Sequence, residues 1–118
     1  MKYTQTSYGN TKKITKFIDH YVNLAITVDD TGVTANAEGK KIVPAGTIMG
    51  GGVLASETVK ATAVNGTGSE GVLFYDVDVT YGPAPGALMI HGFVDLDKIP
   101  AAPTADARAA LKQITFLK

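Results

Sequence analysis

The fold is decided by the stretch GVLFYDVDVTYGPAPGALMIHGFV, residues 71–94. Its first half, residues 71–82, follows the two-residue period of a β-strand, so its side chains fall on two faces. One face carries Leu73, Tyr75, Val77 and Val79, and the other carries Val72, Phe74, Asp76 and Asp78. The PAPG at 83–86 is expected to end this strand, because proline cannot donate to a β-ladder. ALMIHGFV, residues 87–94, then predicts a second strand that pairs antiparallel with the first.

Shorter strands and turns precede this hairpin. YVNLAITV (21–28), GTIMGGGVL (46–54) and TVKATAVNG (58–66) predict strands, since they are rich in β-branched and apolar residues. Pro44 and Gly46 in VPAGT predict a type I β-turn, with proline at the second position and glycine at the fourth. This half of the chain therefore reads as short strands separated by tight turns.

The C-terminal stretch changes character. PTADARAALKQ (103–113) is rich in alanine and predicts a short helix that begins near Thr104, a favoured N-cap residue. ITFLK (114–118) predicts a closing strand. The whole chain thus predicts a mostly-β fold with one short C-terminal helix, rather than a βαβ fold.

Composition narrows the class of protein. The chain has 118 residues, 45% hydrophobic and 19% charged, which is typical of one globular domain. It has no cysteine, so disulfides and thiolate zinc sites are excluded. Its longest apolar runs are too short for a membrane span, and the start lacks the apolar core of a signal peptide. We therefore expect a protein that is made and retained in the cytoplasm and has no membrane partner.

Charge divides the chain into two parts. Residues 1–20 contain four lysines and one aspartate, a net charge of +3, whereas the remainder has seven basic and ten acidic residues, a net charge of −3. This predicts an extended basic arm over 1–20 and a single β-rich body over 21–118. The arm is either a solvated tail or a segment that orders on a partner. Because the total charge is zero, nucleic acid is not expected as a partner.

The sequence contains one apparent cofactor motif. Residues 66–71, GTGSEG, match G-x-G-x-x-G, the pattern that holds dinucleotide pyrophosphates. That function requires a helix opening at the third glycine, and Gly71 instead opens the strand quoted above. The glycines are therefore interpreted as loop residues leading into a strand, and no cofactor is expected.

Other reactive residues form no recognisable constellation. Asp76 and Asp78 share a strand face but have no patterned oxygen ligands beside them, so a solvated strand end is expected rather than a cation site. His20 and His91 are distant in sequence, and no G-x-S-x-G nucleophile elbow accompanies them. His91 is interpreted as a surface or interface histidine. We expect no catalytic residue and no metal site, and therefore no enzyme.

The order of motifs over residues 38–118 resembles a known family. KKIVPAGTIMGG, then GVLFYDVDVTYGPAPGALMIHGFVDLDKIP, the alanine-rich helix and ITFLK are similar to head-decoration and head-fibre proteins of tailed phages of Gram-positive bacteria. The layout resembles the lambda-type head decoration family more distantly. This resemblance implies a compact, turn-rich β-clip or barrel-like domain with an extended N-terminal arm.

The resemblance also implies a function. Such proteins bind the major capsid protein on the outer surface of an assembled capsid, often as homotrimers, and stabilise it, so the expected location is the virion. The arm would lie on the capsid, and deletion of residues 1–16 would abolish attachment while the body stays folded. The capsid-binding candidates in the arm are Tyr3, Tyr8, Lys12, Lys13, Ile14, Lys16 and Phe17.

A binding module on a head fibre is the alternative function. Proteins with a fibre role occur in the same family, and an adhesin of this kind would contact the host cell surface. Tyr75 and Tyr81 are candidates for stacking on sugars. The sequence does not indicate which residues would form a trimer interface.

Overall fold

The computed structural model describes residues 14–15, 20–56 and 58–118. They form eight strands, a short 3-10 helix at Leu96–Lys98 and one α-helix, α1, at Ala105–Ala110. The predicted mostly-β fold with one short C-terminal helix is confirmed. The strands are β1 (Val22–Val28), β2 (Ile42–Val43), β3 (Ile48–Gly50), β4 (Lys60–Ala63), β5 (Ser69–Leu73), β6 (Val77–Asp78), β7 (Ala84–Asp95) and β8 (Ile114–Leu117).

Five of these strands close into a small barrel. They are neighbours in the order β1-β4-β3-β5-β7, and β1 also pairs with β7. The closing pair is antiparallel and runs from Val22 opposite His91 to Val28 opposite Ala84. β8 adds parallel to the far end of β7, and β2 and β6 form a separate two-stranded ribbon. The long strand β7 therefore pairs with three strands, β1, β5 and β8.

Two hydrophobic clusters lie on opposite faces of the barrel wall. Leu73 and Leu88 belong to one cluster, whereas their chain neighbours Val72 and Met89 belong to the other. This follows from strand geometry, since successive side chains point to opposite faces. The second cluster is completed by residues from outside the barrel, namely Ile14, Ile99, Leu111 and Ile114.

The strand predicted over residues 71–82 is interrupted. β5 ends at Leu73, and β6 begins only at Val77, where it pairs with β2. On the face that carries Leu73, Tyr75, Val77 and Val79, Tyr75 is half exposed and the other three are buried. The interruption coincides with Asp76, whose Oδ1 accepts a hydrogen bond from the Ala45 backbone N–H at 2.7 Å. The Asp76 side chain thus binds the turn at Ala45, at a point where strand pairing was expected.

The predicted break at PAPG is wrong. β7 begins at Ala84 and includes Pro85, and the turn lies earlier, where the Gly82 N–H donates to the Val79 carbonyl at 3.2 Å. Pro85 lies opposite Thr27 of β1, whereas the pairing of β7 with β5 begins only at Leu88. One side of β7 is therefore unpaired at Pro85 among the described strands, and the missing N–H disrupts no ladder there. The predicted antiparallel pairing of the two halves is confirmed.

Of three smaller predictions, one is wrong and two are confirmed. The turn in VPAGT runs from Pro44 to Thr47, and Gly46 is its third residue with φ +91°, which is typical of type II and not of the predicted type I. The helix start is confirmed, because the Thr104 side chain accepts a hydrogen bond from the Ala107 N–H at 3.1 Å. The predicted closing strand is confirmed as β8.

Candidate functional site

The N-terminal segment is attached to the body through two residues, Ile14 and Thr15, which we call the arm root. Ile14 is only 1% exposed and lies in the second hydrophobic cluster. Its carbonyl accepts a hydrogen bond from the Asp95 N–H at 2.8 Å, and Thr15 forms a β-bridge with Val94. Two residues of the predicted arm, which spans residues 1–20, therefore contact the body.

The burial of Ile14 concerns one of the predicted capsid-binding residues. Its side chain lies in the core of the described body, where burying an isoleucine favours folding. Deleting residues 1–16 would thus remove a core residue as well as the arm. The other predicted arm residues, Tyr3, Tyr8, Lys12, Lys13, Lys16 and Phe17, lie outside the described residues.

β7 pairs with the N-terminal chain at two places that lie close together along the strand. Thr15 lies opposite Val94, and Val22 lies opposite His91. Gly92 lies between these points with φ +153°. A Cβ atom there would lie 3.2 Å from Tyr21 Cβ. The absence of a side chain at Gly92 thus allows Tyr21 to lie directly against β7.

The chain neighbours His20 and Tyr21 belong to two adjacent groups of rings, which together we call the aromatic–histidine patch. The rings of His20 and His91 lie 5.7 Å apart at 63°, and those of Tyr21 and Phe74 lie 4.9 Å apart at 31°. Phe74 also contacts Tyr75 edge to face at 4.7 Å. These separations are within the range of favourable ring contacts. The patch consists of His20, Tyr21, Phe74, Tyr75 and His91.

The patch is substantially open to solvent. Tyr21 is 44% exposed and Tyr75 is 50% exposed, and the neighbouring Val22 is also 50% exposed. Large rings in solvent are unfavourable, and clusters of them mark interaction surfaces, where tyrosine is enriched among the residues that dominate binding. The patch is therefore the strongest candidate interaction surface on the described body.

Sequence reasoning did not find the patch. Its members come from three separate stretches, and His20 and His91 meet only because β1 pairs with β7 in the register that sets Val22 opposite His91. The expectation that His91 would be a surface histidine is met in part, since its side chain is half-buried. The correct strand register would have been the signal that joins the two histidines.

The predicted acidic candidates serve local structure. Asp78 Oδ1 accepts hydrogen bonds from the hydroxyl and the backbone N–H of Thr80, and these bonds lower the pKa of the Asp78 carboxyl. The backbone N–H of Thr31 similarly lowers the pKa of the Asp29 carboxyl. Both are side-chain-to-backbone bonds that fasten a turn. Among the described residues, no group of three or more metal-ligating side chains of the histidine, cysteine or carboxylate type comes together.

The glycine motif has a packing function. Gly71 lies within β5, and a Cβ atom there would lie 2.6 Å from Leu88 Cγ. The preceding Glu70 carboxylate accepts backbone hydrogen bonds from Gly52, Val53 and Leu54 at 2.5, 2.9 and 3.1 Å. The interpretation of these glycines as a loop leading into a strand is confirmed.

The body also has shallow apolar grooves. One of about 220 Å³ lies between the turn after β1 and the β3–β4 pair, with Val33, Ile42 and Met49 in its lining and Asp29 at its edge. A second of about 210 Å³ lies beside Asn65 and Pro100.

Comparison of the chain with models of protein families and with curated proteins finds no match in either set. In the described part of the chain, no helix combines the length and the apolar character that crossing a membrane requires.

Proposed function

We propose that the protein is a structural virion protein that binds the outer surface of an assembled phage capsid and stabilises it. The observation that carries this proposal is the position of the aromatic–histidine patch beside the arm root. Thr15 and Val22 pair with residues of β7 only three apart, a distance of about 10 Å along a strand. A surface that binds residues 1–13 is therefore within reach of Tyr21 and Tyr75.

The chemistry of the two parts suits this role. Residues 1–13 include three lysines and two tyrosines, which can pair with acidic side chains and bury aromatic surface. Ordering such a segment costs roughly 1–2 kcal/mol per residue in backbone entropy, so the rigid patch supplies contacts that carry no such cost. In a homotrimer the three docking surfaces would bind together, and modest individual affinities would combine.

Co-sedimentation with capsids that lack the protein tests the proposal. We expect the wild-type chain to sediment with the major capsid protein shell, and a chain lacking residues 2–13 to stay in the supernatant. Tyr21→Ala and Tyr75→Ala should each weaken binding at least about tenfold, the effect of losing a well-buried aromatic contact.

Tyr81→Ala is the matched control for these variants. Tyr81 is fully exposed on the turn before β7 and makes no contact with the patch that the structure records. Its removal should leave sedimentation unchanged. Capsid binding that is equally strong without residues 2–13 and without the patch tyrosines would overturn the proposal.

A host-surface adhesin is the second candidate function, favoured by the exposure of Tyr81. A tyrosine ring fully open on a tight turn is available for stacking on a sugar ring. Retention of the protein on host cell walls, its loss in Tyr81→Ala and an absence of capsid binding would together favour this function over decoration. Light scattering of the free and capsid-bound protein would measure whether a trimer forms in solution or only on the capsid.

A further inference from the structure

We propose that His20 and His91 together bind one divalent transition-metal ion of the class that prefers imidazole, represented by Zn²⁺ and Cu²⁺. They are the only two histidines among the 118 residues, and the chain has no cysteine. His20 lies two residues before β1, and His91 lies in β7, 71 positions later. They meet at one end of the β1–β7 pair. The site does not depend on the capsid-binding function.

The ring separation fits a shared ion. Metal–nitrogen bonds of about 2.0–2.1 Å to two imidazoles place the ring centroids no more than about 6–6.5 Å apart. The observed separation is 5.7 Å, with the ring planes inclined at 63°. Because His20 is exposed, its side chain can change rotamer to direct a nitrogen at the ion.

The environment of His91 supports a ligand at this point. Its Nδ1 atom is buried and has no hydrogen-bond partner in the described part of the chain. An unpaired buried polar atom costs about 1–3 kcal/mol, and such atoms in native proteins call for a bound water or ion. A metal ion held by the two imidazoles offsets this cost by occupying the nitrogen lone pair.

The donor set selects the class of ion. Two neutral imidazoles suit Zn²⁺, Cu²⁺ and Ni²⁺, whereas Ca²⁺ and Mg²⁺ require several oxygen ligands. Two protein ligands leave coordination positions for solvent, which His20 exposes. Binding is therefore expected in the micromolar range, far weaker than at a closed structural zinc site.

The bound ion would attach the residues just before β1 to the barrel strand β7. His20 lies between the arm root and β1, and His91 lies in β7, so an ion between them would cross-link these two elements. Ligands that bind only the folded state raise its stability by mass action. Zinc should therefore raise the melting temperature of the full-length chain.

Calorimetric titration of the untagged full-length protein with ZnCl₂ at pH 7.5 tests the site. We expect one ion per chain, and His20→Ala and His91→Ala should each weaken binding at least about tenfold. His20→Ala is the decisive variant, because its exposed side chain can be removed without disturbing the core. Tyr21→Ala, which alters the same patch without removing a nitrogen, should bind zinc within about twofold of wild type.

A second readout identifies the ligands directly. Electron paramagnetic resonance of the Cu²⁺-loaded chain should show hyperfine coupling to two imidazole nitrogens, reduced to one in either histidine variant. Zinc affinity that is unchanged in His20→Ala, or no binding at millimolar zinc, would overturn the proposal. Neither result bears on capsid sedimentation, so the two proposals fail independently.

Discussion

Gly71 illustrates at the scale of one residue why a cofactor-like motif is a packing feature. A side chain there would collide with Leu88 Cγ at 2.6 Å and with the Met89 carbonyl at 2.7 Å. Gly71→Ala should therefore lower the free energy of unfolding by about 1–3 kcal/mol, the usual cost of overpacking. Urea denaturation would measure the loss.

Gly66 provides the matched control within the same motif. A Cβ atom at Gly66 meets nothing within 4 Å, and its backbone does not have a positive φ. Gly66→Ala should change the free energy of unfolding by no more than about 0.5 kcal/mol. Equal losses from both substitutions would contradict the packing explanation.

The Asp78 carboxylate makes a pH-dependent contribution to the stability of the fold. The hydroxyl of Thr80 lowers the pKa of the Asp78 carboxyl below the ordinary value of 3.8, and the Thr80 backbone N–H adds to this effect. Because the folded-state pKa is lowered, the stabilisation is present above the unfolded-state pKa and is lost as the pH falls through the folded-state pKa. Thr80→Val should raise the pKa of Asp78 towards its ordinary value, measured by NMR titration of the carboxyl carbon.

Two comparisons make the Asp78 measurement specific. Thr80→Ser keeps the hydroxyl and should keep the lowered pKa. The pKa of Asp29, which is lowered by its own bond to Thr31, should be the same in every Thr80 variant. A pKa of Asp78 that is unchanged in Thr80→Val would show that the hydroxyl is not its main cause.

At the scale of elements, the arm root separates the arm from the body. Deleting residues 2–13 keeps Ile14, so the free energy of unfolding should stay within about 0.5 kcal/mol of wild type. Deleting residues 2–15 also removes the buried Ile14 side chain and the Thr15 bridge, and should cost about 2–5 kcal/mol. Urea denaturation of the two deletion variants measures the difference. Equal free energies of unfolding would show that Ile14 and Thr15 do not attach the arm to the body.

The sequence predicted most elements but not how they are joined. β1, β5 and β8 followed from apolar runs, and α1 followed from the capping chemistry of Thr104. The break at 74–76 and the inclusion of Pro85 in β7 depend on a hydrogen bond from a distant turn and on which side of β7 is paired. Tertiary context of this kind has no signature in a local pattern.

The candidate site was less predictable than the fold. Tyr75 and Tyr81 were expected to be exposed, and they are, but the grouping of Tyr75 with Tyr21 and the two histidines depends on the β1–β7 register. Ile14 was predicted to bind the capsid as part of an arm that charge and composition alone defined, and neither feature indicated its burial in the second cluster. Burial of one isoleucine inside a basic, polar stretch is decided by the cavity it fills and not by its sequence neighbours.

At the scale of the whole molecule, β7 organises the docking surface that we propose. It closes the barrel with β1, carries β8, holds the arm root at Val94 and contributes His91 to the patch. The arm root at Val94 therefore lies only three residues along β7 from His91 and its patch. A capsid-bound protein of this design should contact its partner with the β7 end near Val94 and keep the Tyr81 turn away from it.

Cryo-electron microscopy of capsids incubated with the purified protein tests this central claim most directly. We predict density for the protein on the outer capsid surface, with the arm root and the aromatic–histidine patch against the capsid and the Tyr81 turn directed outward. Capsids without added density, or density in which the Tyr81 turn contacts the capsid and the patch faces solvent, would contradict it.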